Sequence, residues 1–265
     1  MVPTKKMNSY VPVTPQEIIK AVVECAKLGI SVAHIHPRGP GGKPTWDKVT
    51  FAEIIGGIRE RVPDLVISAT TSGRDWSEFE KRSAVLELQG DLKPDLASLT
   101  VGSMNFIDAA SVNDPQMIKD LATKMKDNGI KPELEIFEPG MLHKANYLIK
   151  KGIVSSNKPY FNILFGSLGT SPLLPSTFAA CHALLPNDAV WSIAGIGSYQ
   201  LDANLIGLAF GGHIRVGLED NIHLDREKKE LASNIDLVAR IVEIIREMDL
   251  EPATPEEARE LLDLG

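Results

Sequence analysis

The sequence predicts an α/β fold, a (β/α)8 TIM barrel built as a single domain over residues 1–265. Three observations carry that expectation. Short, almost continuously apolar segments alternate with amphipathic helical segments along the whole chain, the pattern of a parallel sheet covered on both faces. Polar residues recur at the carboxyl end of one apolar segment after another, where barrels of this kind carry their chemistry. No Gly-x-Gly-x-x-Gly follows any strand and no phosphate-binding loop is present, so the competing doubly wound sheet lacks its signature.

The elements follow in order. Thr14-Pro15-Gln16-Glu17 is a capping box with proline at the first helical position. It opens a helix whose Ile18, Val22 and Ala26 share one face and which stops at Gly29. Ile30–His36 is the first strand, and a helix over about Phe51–Arg61 leads to the strand Leu65–Thr70. A helix near Glu78–Leu88 precedes the strand Leu96–Val101, and the helix Gln116–Lys126 precedes Glu133–Phe137. The helix Leu142–Lys151 leads to the strand Phe161–Phe165, and a helix around Phe178–Leu185 to Val190–Ile196. A helix around Leu201–Phe210 and the strand His213–Leu218 complete the alternation. A long helix over about Lys228–Met248 and a last one opened by Thr254-Pro255-Glu256-Glu257 end the chain. That makes seven strands where a closed barrel needs eight. The open position precedes the first helix, because Met1–Val13 holds no strand pattern.

Composition narrows the function. The formal net charge is −7, and no Lys/Arg stripe is interleaved with aromatics, which argues against nucleic acid or an anionic membrane surface as partner. No apolar run approaches the ~18 residues of a membrane span, and no signal peptide pattern opens the chain. Cys25 and Cys181 lie far apart inside helical stretches, as expected of two buried free thiols in a reducing cytoplasm.

The chemistry-bearing residues collect at the strand ends. His34 and His36, two apart on a strand, point the same way. They are either two satisfied core histidines or two ligands of one metal ion. Glu219 and Asp220 follow the last strand, beside the first in a closed barrel. Glu219 completes two histidines and a carboxylate with an open fourth position, the donor set of a catalytic zinc rather than iron. Arg215 precedes Glu219 by four residues and needs a carboxylate inside an apolar strand. Asp220 is the candidate, as an oriented general base or as half of a structural ion pair. Thr70, Thr71, Ser72, Gly73 and Ser98 offer hydroxyls and backbone N–H groups able to hold a carboxylate, though Ser/Thr before Gly is also ordinary turn chemistry. Glu133 and Glu135 share a strand face that alternation alone does not place inside or outside.

Six segments together resemble the β-keto acid cleavage enzymes, the family that includes enzymes acting on 3-keto-5-aminohexanoate: VPVTPQEI, AHIHPRGPGGKPTWD, PELEIFEPGM, WSIAGIG, GGHIRVGLEDN and ATPEEARELL. The His-x-His-x-Arg and Gly-Gly-His-Ile-Arg-x-Gly-x-Glu-Asp-Asn segments are the specific ones. The resemblance implies a zinc-dependent barrel exchanging acyl groups between a β-keto acid and the co-substrate acetyl-CoA, giving acetoacetate and a new acyl-CoA. It places one Zn2+ per chain on His34, His36 and Glu219, the catalytic pair on Arg215 and Asp220, and substrate contacts at Thr70, Ser98 and Glu135. It also implies a homo-oligomer, a tetramer in the family. The family's glutamate for a substrate amino group falls at about Val2, so a neutral β-keto acid is the expected substrate. A zinc-dependent hydrolase or aldolase on the same barrel is the alternative.

Overall fold

The computed structural model describes residues 3–107, 109–154 and 157–264. Its strands are β1 (Val32–Ile35), β2 (Val66–Ala69), β3 (Leu96–Thr100), β4 (Met104–Asn105), β5 (Ala110–Ser111), β6 (Lys131–Ile136), β7 (Tyr160–Phe165), β8 (Val190–Gly195) and β9 (His213–Ile214). The helices are α1 (Pro15–Ala26), α2 (Lys48–Arg59), α3 (Phe79–Ser83), α4 (Pro115–Asp127), α5 (Pro139–Lys150), α6 (Pro175–His182), α7 (Gln200–Ala209), α8 (Asn234–Glu247) and α9 (Pro255–Leu261). Seven strands form one parallel sheet in the order β1-β2-β3-β6-β7-β8-β9, curled into the expected TIM-type barrel, while β4 and β5 make a separate antiparallel hairpin.

Strand alternation sorts the side chains. Ile35, Ile67, Leu99, Leu134, Ile163 and Ile193 are buried in the main core, which also holds Ile54, Leu121 and Leu142 of the surrounding helices. The opposite faces meet inside the barrel in layers. Val66, Leu96 and Val190 form an apolar floor against Ala258 and Leu262, so α9 and the residue after it plug the amino end. Above that floor the inward positions turn polar: His34 registers with Ser68, Ser98 with Glu133, Glu135 with Asn162, and Asn162 with Ser192. The polar cluster expected at the strand ends thus extends downward as a polar lumen.

The plug is anchored by Asp95. Its carboxylate accepts from Arg59 at 3.0 Å and from the Ile67 N–H at 2.8 Å, and pairs with Arg259 of α9 at 3.0 Å. Asp95→Ala leaves two guanidinium groups and a backbone donor without that acceptor. Charged hydrogen bonds contribute ~1.5–3 kcal/mol each before relaxation, so a net loss of about 2–3 kcal/mol is expected. In a chain of this size that lowers Tm by roughly 4–12 °C, measurable by calorimetry; an unchanged Tm would show the anchor to be dispensable.

Among the described residues β9 and β1 are not paired. Between them lies a cavity of about 460 Å3, lined by Val32 and His34 on one side, Ile214 and Val216 on the other, and Val22 and Val238 of α1 and α8, and reaching Arg215 and Glu219. This is the position an eighth strand would take, matching the count of seven. It also shortens β9 relative to the expected His213–Leu218. After Ile214 the Arg215 N–H still bonds to the Ile193 carbonyl of β8, and side chains satisfy further groups: Asn204 donates to the Arg215 carbonyl, Gln200 to the Gly217 carbonyl, and the Leu218 N–H donates to Asn234.

Three other elements depart from expectation. The helix near Glu78–Leu88 is α3 followed by a 3-10 turn over Ala84–Glu87. The long helix begins at Asn234 rather than near Lys228, because Ser233 and Asp236 form a reciprocal capping box. Ahead of it, the Asp225 carboxylate accepts from the backbone N–H of Lys229 and Glu230, which holds that charged stretch in a turn. The hairpin β4–β5 is not anticipated by the pattern; two-residue strands are too short to show periodicity.

Candidate active site

β1 ends at Ile35, yet His36 keeps the orientation of His34, with ring centroids 5.0 Å apart. The two Nε2 atoms lie 3.1 Å apart, and the His36 Nε2 is 2.8 Å from Glu219 Oε1. Barrel curvature therefore brings the loop after the last strand against the end of the first. One ligand atom from each of His34, His36 and Glu219 falls within 4.8 Å of the others.

These residues fit a metal ion. Two nitrogens bound at 2.0–2.1 Å to one tetrahedral zinc lie about 3.3 Å apart, close to the separation seen. The His34 Nδ1 faces the Glu133 carboxylate at 2.8 Å, so a neutral His34 turns its Nε2 lone pair toward His36. Burial pushes the His36 imidazole down to about 3, with Glu219 opposing, which leaves it neutral and able to coordinate. Burial also pulls on His34, but the Glu133 carboxylate reverses that and raises it above its ordinary value. Four carboxyl groups, from Glu133, Glu135, Glu219 and Asp220, surround one guanidinium here, an excess of negative charge suited to a divalent cation.

Arg215 organises the carboxylates. Its Nε donates to Asp220 at 3.1 Å, and one NH2 reaches both Glu219 at 2.8 Å and Asp220 at 3.3 Å. Its remaining nitrogen, buried and without a hydrogen-bond partner, lies 3.7 Å from Glu133 and 3.5 Å from Glu135. Burial would strip the charge from Glu219, but His36 and Arg215 hold it well below the usual carboxylate range. Asp220 behaves differently: burial pushes it up to about 6 against the pull of Arg215, and Glu219 adds to the rise. A carboxylate poised near neutrality can both accept and return a proton.

The hydroxyl cluster separates into two groups. Thr71 and Ser98 are spent on each other, with the Thr71 N–H donating to Ser98 Oγ at 3.1 Å and the Thr71 hydroxyl to the Ser98 carbonyl at 2.5 Å. Gly73 is required by packing, since a Cβ there would sit 2.6 Å from Arg82 and 2.9 Å from the Val112 carbonyl. Thr70 and Ser72 line a small recess at the mouth with His36, Arg38, Trp46 and Trp76, and their hydroxyl oxygens accept from the Ser72 and Arg74 N–H groups at 3.2 and 3.3 Å, the turn bonding also expected of them. Glu135 faces the lumen and accepts from Thr100 at 2.7 Å; burial and then Glu133 raise its pKa. The Val2 position lies outside the described residues.

The sequence places Glu133 on one face with Glu135 without saying which face, and sequence reasoning passed over Ser68, Asn162, Ser192 and Tyr160, which join it in the lumen. Glu133 accepts from His34, from Ser68 Oγ at 2.5 Å and from Asn162 at 2.8 Å. Asn162 accepts in turn from Ser192 at 3.2 Å, and Ser192 contacts the Tyr160 hydroxyl at 2.9 Å. Ser68, Asn162 and Ser192 are each one polar residue among apolar neighbours of a strand, and that interruption is the signal that could have found them.

Comparison with known proteins gives the family. The profile of the family described as beta-keto acid cleavage enzyme matches residues 1–264. The chain is 35% identical to the 3-keto-5-aminohexanoate cleavage enzyme of Fusobacterium nucleatum, over 98% of this chain and 93% of that relative. It is 34% identical to the 3-oxoadipate:acetyl-CoA acetyltransferase of Cupriavidus necator, over 99% and 91%. Identity to the 3-dehydrocarnitine:acetyl-CoA trimethylamine transferase of Rhizobium meliloti is 30%, over 98% and 92%. In fold it is similar to the apo structure of ObcA, with a TM-score of 0.81 at 19% identity, over 97% of this chain; it spans 66% of the ObcA chain. With a family profile over nearly the whole chain and relatives at 34–35% identity over nearly its full length, this chain belongs to the β-keto acid cleavage enzyme family.

Proposed function

We propose that this chain is a zinc-dependent enzyme that exchanges acyl groups between a β-keto acid and acetyl-CoA, releasing acetoacetate and a new acyl-CoA. The observation that carries the proposal is the convergence of His34, His36 and Glu219 beside the Arg215–Asp220 pair. Zinc held by those three residues supplies Lewis-acid polarisation of a carbonyl oxygen. Asp220 takes the proton from the carbon between the substrate's carboxylate and keto groups, and Arg215 holds Asp220 in place for it. Thr70 and Ser72 at the mouth receive the substrate carboxylate. The apolar floor and α9 close the amino end, while the cavity between β1 and β9 reaches His34, Glu133, Arg215 and Glu219 from the side.

The test is a panel of β-keto acids, each offered with and without acetyl-CoA while acetoacetate is followed. Acetoacetate should form only with acetyl-CoA, stop on chelation and return with added zinc. Turnover without acetyl-CoA would identify hydrolase or aldolase chemistry instead.

The recess beside His36 points to the substrate's charge. Arg38 and Arg82 line it with one carboxylate, Asp75, while Lys81 is paired with Glu78 at 2.6 Å, and two guanidinium groups against one carboxylate disfavour an ammonium group. A β-keto acid with a neutral tail is therefore expected to exceed 3-keto-5-aminohexanoate in kcat/KM by about tenfold, the worth of one charged hydrogen bond. A tenfold preference for the amino substrate would show that a carboxylate reaches it after all.

A further inference from the structure

Glu133 lies outside the three metal-facing residues and the Arg215–Asp220 pair, yet it is the most heavily bonded carboxylate in the lumen. It is 3% exposed, and Ser68 and Asn162, which donate to it, are fully buried. One oxygen accepts from His34 Nδ1 at 2.8 Å and from Ser68, and the other from Asn162 at 2.8 Å. Four strands contribute to the group: β1, β2, β6 and β7. A layer built for stability alone would be apolar, as the layer beneath it is, because a buried carboxylate loses more in desolvation than its partners return.

We propose, resting on the zinc-site reading above, that Glu133 is a positioning residue: it fixes His34 as the Nδ1–H tautomer and aims its Nε2 at the ion. A histidine ligand whose other nitrogen is held by a carboxylate is oriented and made a stronger donor, and losing such a partner typically costs ~10–100-fold in metal affinity. Glu133, His34 and Glu135 also form a possible metal-holding group of their own. Geometry favours the positioning role. Glu133 grips Nδ1, while Nε2 is the nitrogen that meets His36 at 3.1 Å. Both Glu133 oxygens are already occupied by protein donors. Ser68 and Asn162 hold the carboxylate so that it cannot swing away from the ring.

The test compares wild type, Glu133→Gln and Glu133→Ala by zinc competition against a chromogenic chelator and by 15N imidazole NMR of the metal-free proteins at pH 8. Wild type should show the His34 Nδ1 carrying its proton in a hydrogen bond to Glu133. Glutamine keeps an acceptor for that proton, so Glu133→Gln should hold the tautomer and lose about tenfold in zinc affinity. Alanine should let the tautomers mix and lose up to ~100-fold. The cobalt-substituted Glu133→Gln protein should keep the wild-type visible spectrum, because the ligands are unchanged. Wild-type zinc affinity in a folded Glu133→Ala protein would overturn the proposal, and so would an altered cobalt spectrum in Glu133→Gln, which would make Glu133 a ligand. If wild type shows the fixed tautomer but binds no zinc, the zinc-site reading fails while the orientation of His34 by Glu133 stands.

Discussion

Replacing His36 by alanine should strip most of the zinc from the purified protein, where wild type should carry close to one ion per chain. His36 Nε2 is the atom common to the two close contacts of the site, 3.1 Å to His34 and 2.8 Å to Glu219. Without it a single imidazole and a single carboxylate remain, fewer than the three protein donors a catalytic zinc keeps. The Lewis-acid contribution is several kcal/mol, so turnover should fall by about 10²–10⁴. Folding should survive, because His36 lies beyond the end of β1 and outside the apolar clusters. Elemental analysis reads the metal, and circular dichroism reads the fold. Full zinc content in a folded His36→Ala protein would remove the central claim.

The residues that make this prediction possible were legible for a simple reason. His34 and His36 interrupt an apolar run at positions two apart, and period-two spacing on a strand is a statement about direction in space. Glu219 and Asp220 follow the last apolar run, and a barrel brings its last strand beside its first. Local pattern and fold class together were enough to join residues nearly two hundred positions apart. The hydroxyls were harder. Thr70, Thr71, Ser72 and Ser98 look alike in sequence, but Thr71 and Ser98 bond across to each other while Thr70 and Ser72 accept only from the backbone of their own turn. That division depends on which loop packs on which.

Glu133 shows a different obstacle. It reads as a companion of Glu135, and alternation gives them one face without saying which. The register Ser98 to Glu133 and Glu133 to Tyr160 settles it, and register is a property of neighbouring strands. The turn before α8 was hidden for the opposite reason. Its Lys- and Glu-rich composition has good helix propensity, yet the Ser233–Asp236 box and the Asp225 carboxylate bind the same backbone groups in another conformation.

Asp220→Asn is expected to cost ~10²–10⁴ in turnover while leaving the zinc in place, the signature of a lost general base. Asparagine keeps the shape and one acceptor oxygen for Arg215, but it cannot take a proton from carbon. Asp220 is not one of the three metal-facing residues, and its oxygens are turned to Arg215 at 3.1 and 3.3 Å. Burial pushes it up to about 6, which suits a group that must both remove and return a proton. Arg215→Lys should also be damaging, for a geometric reason. The guanidinium spans Asp220 through two nitrogens and touches Glu219 with one of them, so a single fork holds the base and a metal-facing carboxylate together. An ammonium is a point charge and cannot hold both in that register. Because the arginine acts on proton transfer through the aspartate, the two losses should add only in part: Arg215→Lys should cost less in the Asp220→Asn background than in wild type, the remainder reflecting its hold on Glu219. Additive losses would mean that the pair are independent contributors. Near-normal turnover of zinc-loaded Asp220→Asn would show that the pair closes the barrel and moves no proton.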